Sequence, residues 1–337
     1  METRIERITP QSIEEAKTRI LCGEVVAIPT ETVYGLGGNA FDDGAVKKIF
    51  EVKGRPNDNP LIAHIHKDYD LTRIIDGEPP YAAALREAFL PGPLTLVYPS
   101  KGRVSAYVSC GLDTLAVRVP KHEGAQALLR ALDVPVVAPS ANLSKHVSPT
   151  SAAHVYDDFN GKIPLILDGG ECEGGIESTV LDVTGEVPVI LRPGLITREM
   201  IAAVVGKCEE ATATPKAGEK VKSPGVLYKH YSPRCKTAYY TSVERAVERY
   251  REERAAGNRA AVLCEGQTAR TLARRGVKVF DLGDTPTEMA AKLYGLLREA
   301  ETKVDTLVAI EPTPDGGVMT GVKNRLKKAC ASVDIPH

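Results

Sequence analysis

Two cations separated by a single glycine open the chemistry of this chain. Residues 51–64 read E-V-K-G-R-P-N-D-N-P-L-I-A-H, with Lys53 and Arg55 on either side of Gly54. Pro56 and Pro60 stiffen the backbone around Asn57, Asp58 and Asn59. An anion site benefits from such stiffening, because Lys and Arg lose much rotamer freedom on binding and a rigid backbone lowers the total cost. A polar turn running into a strand is the other reading, and on this stretch alone the two stand even. Arg118 interrupts the otherwise apolar run 115–120. A buried arginine must face a carboxylate or a phosphate, and an ion pair within the protein weighs as much here as a ligand.

Further polar groups cluster where strands are expected to end. Thr30 and Thr32 follow the apolar run 24–29, and their hydroxyls suit a small polar ligand or simple turn duties. Ser140, Asn142 and Ser148 follow the run 134–138, just past the carboxyl end of a strand, where open α/β sheets place ligands. Ser178 and Arg192 stand beside glycines that leave room for close backbone approach. His64 closes another short strand, a position more often half-exposed than ligating. Gly35, Gly37 and Ala40 fit G-x-G-x-x-A, but five residues part them from the strand and Glu51 comes too soon to be the ribose-binding acid. A nicotinamide cofactor is therefore not expected.

The elements that must position these groups divide the chain. Helical spacing marks 12–22, 43–52, 81–89, 124–132 and 197–205, and strands are expected at 24–29, 61–65, 94–98, 115–120, 134–138 and 163–167. Residues 180–183 and 189–191 read as a hairpin across Gly185. From Lys236 strands and helices alternate strictly, which calls for a small parallel sheet covered by helices. The expected organisation is a domain over 1–206, a linker or lid over 207–235 and a second domain over 236–337. Segment 223–233, S-P-G-V-L-Y-K-H-Y-S-P, carries too many rings and cations for a passive spacer, and a lid over the site is one use for it.

Composition narrows the classes. With 43 basic and 44 acidic side chains, the near-zero net charge argues against coating nucleic acid or a membrane surface, though a local basic cleft remains open. No apolar run approaches the roughly 20 residues of a membrane span, and the mixed-charge first residues carry no secretory core. Seven single cysteines without C-x-x-C pairs argue against a disulfide framework or a structural zinc, so a cytoplasmic location is expected.

Taken together, the segments resemble the threonylcarbamoyl-AMP synthases of the longer Sua type, with a YrdC-like catalytic domain. The resemblance rests on P-T-E-T-V-Y-G-L-G (29–37), K-G-R-P-x-x-N-P-L (53–61), P-G-P-L-T (91–95), G-L-D-T-L-A-V-R-V-P (111–120) and A-P-S-A-N (138–142). It continues through S-P-T (148–150), D-G-G (168–170), E-S-T-V (177–180), L-R-P-G (191–194) and S-P-G-x-x-Y-K-H-Y-S-P (223–233). It implies a twisted, mostly parallel open α/β sheet around a positive cavity, with a second, smaller Rossmann-like parallel α/β domain. The implied reaction joins L-threonine, bicarbonate and ATP into threonylcarbamoyl-AMP and releases pyrophosphate. A separate transferase would pass the product to the adenosine beside the anticodon of tRNA; direct tRNA binding by this chain stays open.

By motif position, Thr32, His64, Arg118 and Ser178 would hold threonine. Arg55, Asn59, Thr114, Ser140, Asn142, Ser148, Arg192 and Tyr231 would hold ATP, with Lys53 and Arg55 as the catalytic charges and Mg²⁺ as the triphosphate's partner. Because an N-carboxylate must attack an anionic α-phosphate, the leading requirement is cationic screening and alignment. Two rivals are a double-stranded RNA-binding module, against which the net charge weighs, and a carbamoyl-adenylate enzyme of the hydrogenase-maturation type. The latter would bring acylphosphatase and zinc-finger segments that this sequence lacks.

Overall fold

The computed structural model describes residues 2–211 and 231–330, which fall into two compact units. Residues 2–144 and 148–211 form the first; 145–147 and 231–330 form the second. The first unit opens with β1 (Arg4–Arg7), α1 (Pro10–Leu21), β2 (Val26–Ile28), β3 (Gly35–Asn39), α2 (Asp43–Lys53) and β4 (Ile62–His64). There follow α3 (Pro80–Phe89), β5 (Leu94–Pro99), α4 (Ala106–Ser109), β6 (Thr114–Arg118), α5 (Glu123–Leu132), β7 (Val136–Val137) and α6 (Ala152–Phe159). The unit closes with β8 (Leu165–Asp168), β9 (Thr179–Asp182), β10 (Val189–Arg192), α7 (Arg198–Val205) and β11 (Glu209–Glu210).

Its eleven strands make one sheet, in the order β1-β8-β2-β3-β7-β4-β6-β5-β9-β10-β11. The expected open α/β sheet is there, but its ladder is mixed, five of ten pairings being antiparallel. The antiparallel pairs include the expected β9–β10 hairpin.

Period-2 alternation sends successive side chains to opposite faces. In β2 and β8, Val26, Ile28, Leu165 and Leu167 pack with Ala16 and Ile20 of α1 and Leu128, Leu129 and Leu132 of α5. Ala27 and Ile166 point the other way, into the large core that also takes Val46, Ile49, Leu85, Val155 and Phe159. The same core receives Ala63, Leu96, Leu115, Val117 and Leu181, which leaves the opposite face of β4, β6, β5 and β9 for other use.

The glycines of the false dinucleotide fingerprint have a packing role. A Cβ on Gly35 would stand 2.9 Å from the Cβ of Ala138 and one on Gly37 3.1 Å from Val136 Cγ1, while one on the neighbouring Gly38 would stand 3.0 Å from Ile49 Cδ1. β3 therefore needs glycine so that β7 and α2 can close on it. Asp42 caps α2 by accepting from the backbone N–H of Gly44 and Ala45, and Gly54 ends it at φ 59°. That left-handed residue favours glycine, and it leaves Lys53 on the last helical turn while releasing Arg55 into the loop.

The second unit contains β12 (Lys236–Tyr240), α8 (Val243–Ala255), β13 (Ala260–Cys264), α9 (Gly266–Ala273), β14 (Val279–Asp281), α10 (Pro286–Lys303), β15 (Thr306–Ile310) and α11 (Val318–Cys330). Its four strands are all parallel, in the order β12-β15-β13-β14, as strict alternation requires. A capping box between Thr285 and Glu288 starts α10, with Pro286 in the first turn. Among the described residues no helix is long and apolar enough to cross a membrane.

Candidate active site

Three adjacent strands place polar groups side by side on the face turned away from the large core. His64 of β4 is in register with Arg118 of β6, and Arg118 with Thr95 of β5. One step along, Ile62, Ala116 and Val97 share that face and form a small apolar cluster with Val180. Thr114, two residues before Ala116, completes the pattern. β6 thus presents a hydroxyl, a methyl and a guanidinium in turn, with Thr114 and Arg118 about 13 Å apart at roughly 3.3 Å per residue.

Arg118 is 4% exposed, and the ion-pair reading of its place in an apolar strand holds. Its Nη2 donates to Glu31 Oε1 at 2.7 Å and its Nε to the Gly92 carbonyl at 3.3 Å. Nη1 meets no acceptor among the described residues. His64 is fully enclosed, its Nδ1 lying 3.2 Å from the Ile62 carbonyl. Burial, and then the charge of Arg118, push its pKa down to about 3, so the ring is neutral at physiological pH. Thr32 is completely buried and its hydroxyl lies 2.9 Å from that of Thr30, which also donates to the Val33 carbonyl.

Ser178, at the entrance to β9, gathers several partners. Its hydroxyl lies 2.8 Å from Thr95 Oγ1. Arg192 donates to the Ser178 carbonyl from Nε at 3.1 Å and Nη2 at 2.9 Å, and Nη2 also reaches the Ser178 hydroxyl at 3.2 Å. Ser148 donates to the neighbouring carboxylate of Glu177 at 2.7 Å. A Cβ on Gly194 would collide with the backbone of 177–179, so the R-P-G turn lies flush on this segment.

The two signature turns meet directly. Lys53, 3% exposed, donates to the carbonyl oxygens of Ser140 and Asn142, and Ser144 N–H returns to the Lys53 carbonyl at 2.8 Å. Arg55 donates to the Asn59 carbonyl at 3.0 Å and stacks over Phe50 at 5.8 Å. The Asn59 side chain is 1% exposed, yet its Nδ2 and Oδ1 have no partner among the described residues. An isolated bridge ties Ser140 to Gly35, and Tyr34 N–H bonds the Pro149 carbonyl beside Ser148. Contacts and register thus link Lys53, Arg118 and Arg192 with Ser140, Ser148 and Ser178 into one continuous set within the first unit.

Tyr231 lies in the second unit, 6% exposed and stacked on Tyr294 with ring centroids 5.3 Å apart. Residues 223–230 of the expected lid, 223–233, lie outside the described residues. Three polar groups that the sequence did not single out belong to the set: Glu31, Thr95 and Glu177. Each stands within a motif already noted, and Glu31 is flanked by the two threonines. Cys172 offers no nucleophile, since burial, then the Glu31 charge, pushes its thiol up to about 12. Among the described residues no group of three His, Cys, Asp or Glu side chains could hold a metal ion.

Comparison with known proteins follows the same lines. A family model described as "Telomere recombination" matches residues 19–194, and one described as "Threonylcarbamoyl-AMP synthase, C-terminal domain" matches residues 196–331. A threonylcarbamoyl-AMP synthase of Pyrococcus abyssi is 44% identical over 334 residues, covering 95% of each chain. One from Bacillus subtilis is 44% identical over 320 residues, covering 94% of this chain and 92% of its own. The crystal structure of P. abyssi Sua5 complexed with L-threonine aligns with a TM-score of 0.88 at 42% identity, over 97% of this chain and 96% of that one. Motifs, sheet topology and full-length similarity agree: the chain belongs to the threonylcarbamoyl-AMP synthase family.

Proposed function

We propose that this protein makes threonylcarbamoyl-AMP from L-threonine, bicarbonate and ATP, releasing pyrophosphate. The observation that carries the proposal is the face of β6 turned away from the large core, where Thr114 and Arg118 stand about 13 Å apart on either side of the apolar floor around Ala116. That spacing suits a nucleotide at one end and an amino acid at the other. Threonine would lie at the Arg118 end, held by Thr32, His64, Arg118 and Ser178. ATP would lie towards Thr114, with Arg55, Asn59, Ser140, Asn142, Ser148 and Arg192. Asn59 supports this placement, because a buried amide with neither group bonded among the described residues is costly unless a ligand completes it.

In the proposed sequence the threonine amine takes up CO₂ from bicarbonate as a carbamate, with loss of water. A carbamate oxygen then attacks the α-phosphorus and pyrophosphate leaves. Both partners are anionic, so the protein's part is screening and alignment by cations already fixed before substrate arrives. Arg118 and Arg192 supply forked guanidinium groups, and Lys53 supplies a buried charge while holding two turns together. Neutral His64 can share a hydrogen bond with a hydroxyl without adding charge. Mg²⁺ would enter with the triphosphate, and no step is assigned to it. The adenylate is a mixed anhydride suited to a separate transferase acting on the adenosine beside the anticodon of tRNA. The seven cysteines are unbridged, which suits the reducing cytoplasm.

The test is pyrophosphate release from ATP with threonine and bicarbonate omitted in turn, and mass spectrometry of the product. Dependence on both substrates together with a threonylcarbamoyl-AMP mass supports the proposal. Release that ignores either substrate overturns it.

A further inference from the structure

Glu31 carries no role in the reading above, yet it is the acidic group bound to the guanidinium at the centre of the threonine end. It sits in the turn between β2 and β3, and its side chain is only 10% exposed. One carboxylate oxygen accepts from Arg118 Nη2 at 2.7 Å, and the other from the backbone N–H of Lys121 at 3.0 Å. The same carboxylate therefore holds both the arginine and the chain that leaves β6.

The turn that bears Glu31 is itself held from several sides. Gly174 N–H donates to the Glu31 carbonyl at 2.7 Å, and a Cβ on Gly174 would stand 3.0 Å from that oxygen. Thr30 Oγ1 accepts from Thr32 N–H at 3.2 Å and donates to the Val33 carbonyl at 2.7 Å. Thr32 follows Glu31 directly, so the backbone that aims the Glu31 carboxylate also aims the Thr32 hydroxyl.

We propose that Glu31 is a positioning residue that locks the Thr32 turn to Arg118 and selects which edge of the guanidinium faces threonine. Nε and Nη2 are engaged by the Gly92 carbonyl and Glu31, which leaves Nη1 as the edge offered to the substrate carboxylate. The inference rests on the reading that Arg118 and Thr32 hold threonine. An arginine at a flexible site could pivot among several poses. One whose other edge is fixed by a buried carboxylate cannot, and misplacement by about 1 Å can lower turnover on the order of a hundredfold. Lysine at 118 could not divide its donors in this way.

The experiment measures threonine KM, ATP KM and kcat for wild type, Glu31→Ala, Glu31→Gln, Arg118→Gln and the Glu31→Gln/Arg118→Gln pair, with the melting temperature of each. Glu31→Ala is expected to raise threonine KM about thirtyfold while ATP KM stays within about threefold. Glu31→Gln keeps an oxygen for Arg118 but gives up the charge of the pair, so it is expected to raise threonine KM about fivefold at unchanged ATP KM, a smaller effect that still provides the reading if the alanine variant does not fold. On an Arg118→Gln background, Glu31→Gln should add little, because the group it positions is gone. A drop in melting temperature with threonine KM unchanged, or equal rises in both KM values, would overturn the positioning role in favour of a structural one. If Arg118→Gln itself leaves threonine KM unchanged, the assignment of Arg118 fails, and the role of Glu31 falls with it. That result is distinct from a silent Glu31 beside a damaging Arg118→Gln.

Discussion

Lys53 Nζ lies 2.6 Å from the carbonyl oxygen of Asn142, 89 residues further along the chain. A second bond to the Ser140 carbonyl makes the ammonium a strut between the two turns most characteristic of the sequence. The cation expected to serve phosphates therefore also builds the wall in which they would sit.

Replacing that strut should damage stability and activity together. Lys53→Met keeps the aliphatic stem but leaves two carbonyls without their charged donor, a loss of about 3 kcal/mol if each bond contributes 1.5–3 kcal/mol and part is recovered by relaxation. At roughly 2–4 °C per kcal/mol for a unit of this size, the melting temperature should fall by about 6–12 °C. Adenylate formation should fall more than about a hundredfold at a temperature where the variant is folded. A calorimetric scan alongside the pyrophosphate assay checks both, and a stable, active variant would deny the strut.

Asn59→Leu should behave in the opposite sense on stability. Two buried amide groups without partners among the described residues disappear, so the melting temperature should hold or rise, each such group ordinarily costing about 1–3 kcal/mol. ATP KM should increase about tenfold or more, with threonine KM little changed. Equal effects on the two substrates would remove Asn59 from the nucleotide end.

His64 makes the fold sensitive to acid. Its folded pKa is lowered to about 3, because burial and then Arg118 disfavour the charged ring. The unfolded chain titrates near the usual ~6.5. Between these values the unfolded state binds the extra proton, so stability is full above about pH 6.5 and declines as pH falls towards 3, by at most about 1.4 kcal/mol per pH unit. His64→Gln should flatten this part of a urea-midpoint-against-pH curve. In the wild type, threonine KM should show no imidazole inflection between pH 6 and 8.

Arg192→Lys tests the fork. Two guanidinium nitrogens hold the Ser178 carbonyl and one also reaches its hydroxyl, a grip that a single ammonium cannot copy. The expected result is a loss of roughly tenfold to fiftyfold in kcat/KM for both substrates, since Ser178 would shift along with any phosphate contact. Steady-state kinetics with each substrate varied in turn measures it.

Long, strongly patterned elements were legible in the sequence: α2, α5, β6, the β9–β10 hairpin and the alternating second unit stand where periodicity puts them. Others were not, for physical reasons. β1 is four largely exposed, mostly charged residues that exist as a strand because they pair with β8, far away in the chain. β3 is glycine-rich, so although spacing alone set aside a dinucleotide loop, no strand pattern marked it, and it exists because Ala138 and Ile49 pack closely on its bare backbone. α6 begins at a Ser151 cap inside a polar stretch that lacked a strong apolar stripe. In the site, the cations could be named from their types and spacing, whereas the groups that hold them could not. Glu31 meets Arg118 only through a tertiary contact 87 residues apart, and no local pattern announces it.

β6 reads in two frames at once: Leu115 and Val117 belong to the interior, Thr114, Ala116 and Arg118 to the opposite side. A one-residue insertion or deletion within it would exchange these sets, thrusting a guanidinium into hydrocarbon and a bare valine onto the face proposed to hold the substrates. Length changes in this strand should therefore be tolerated only in steps of two.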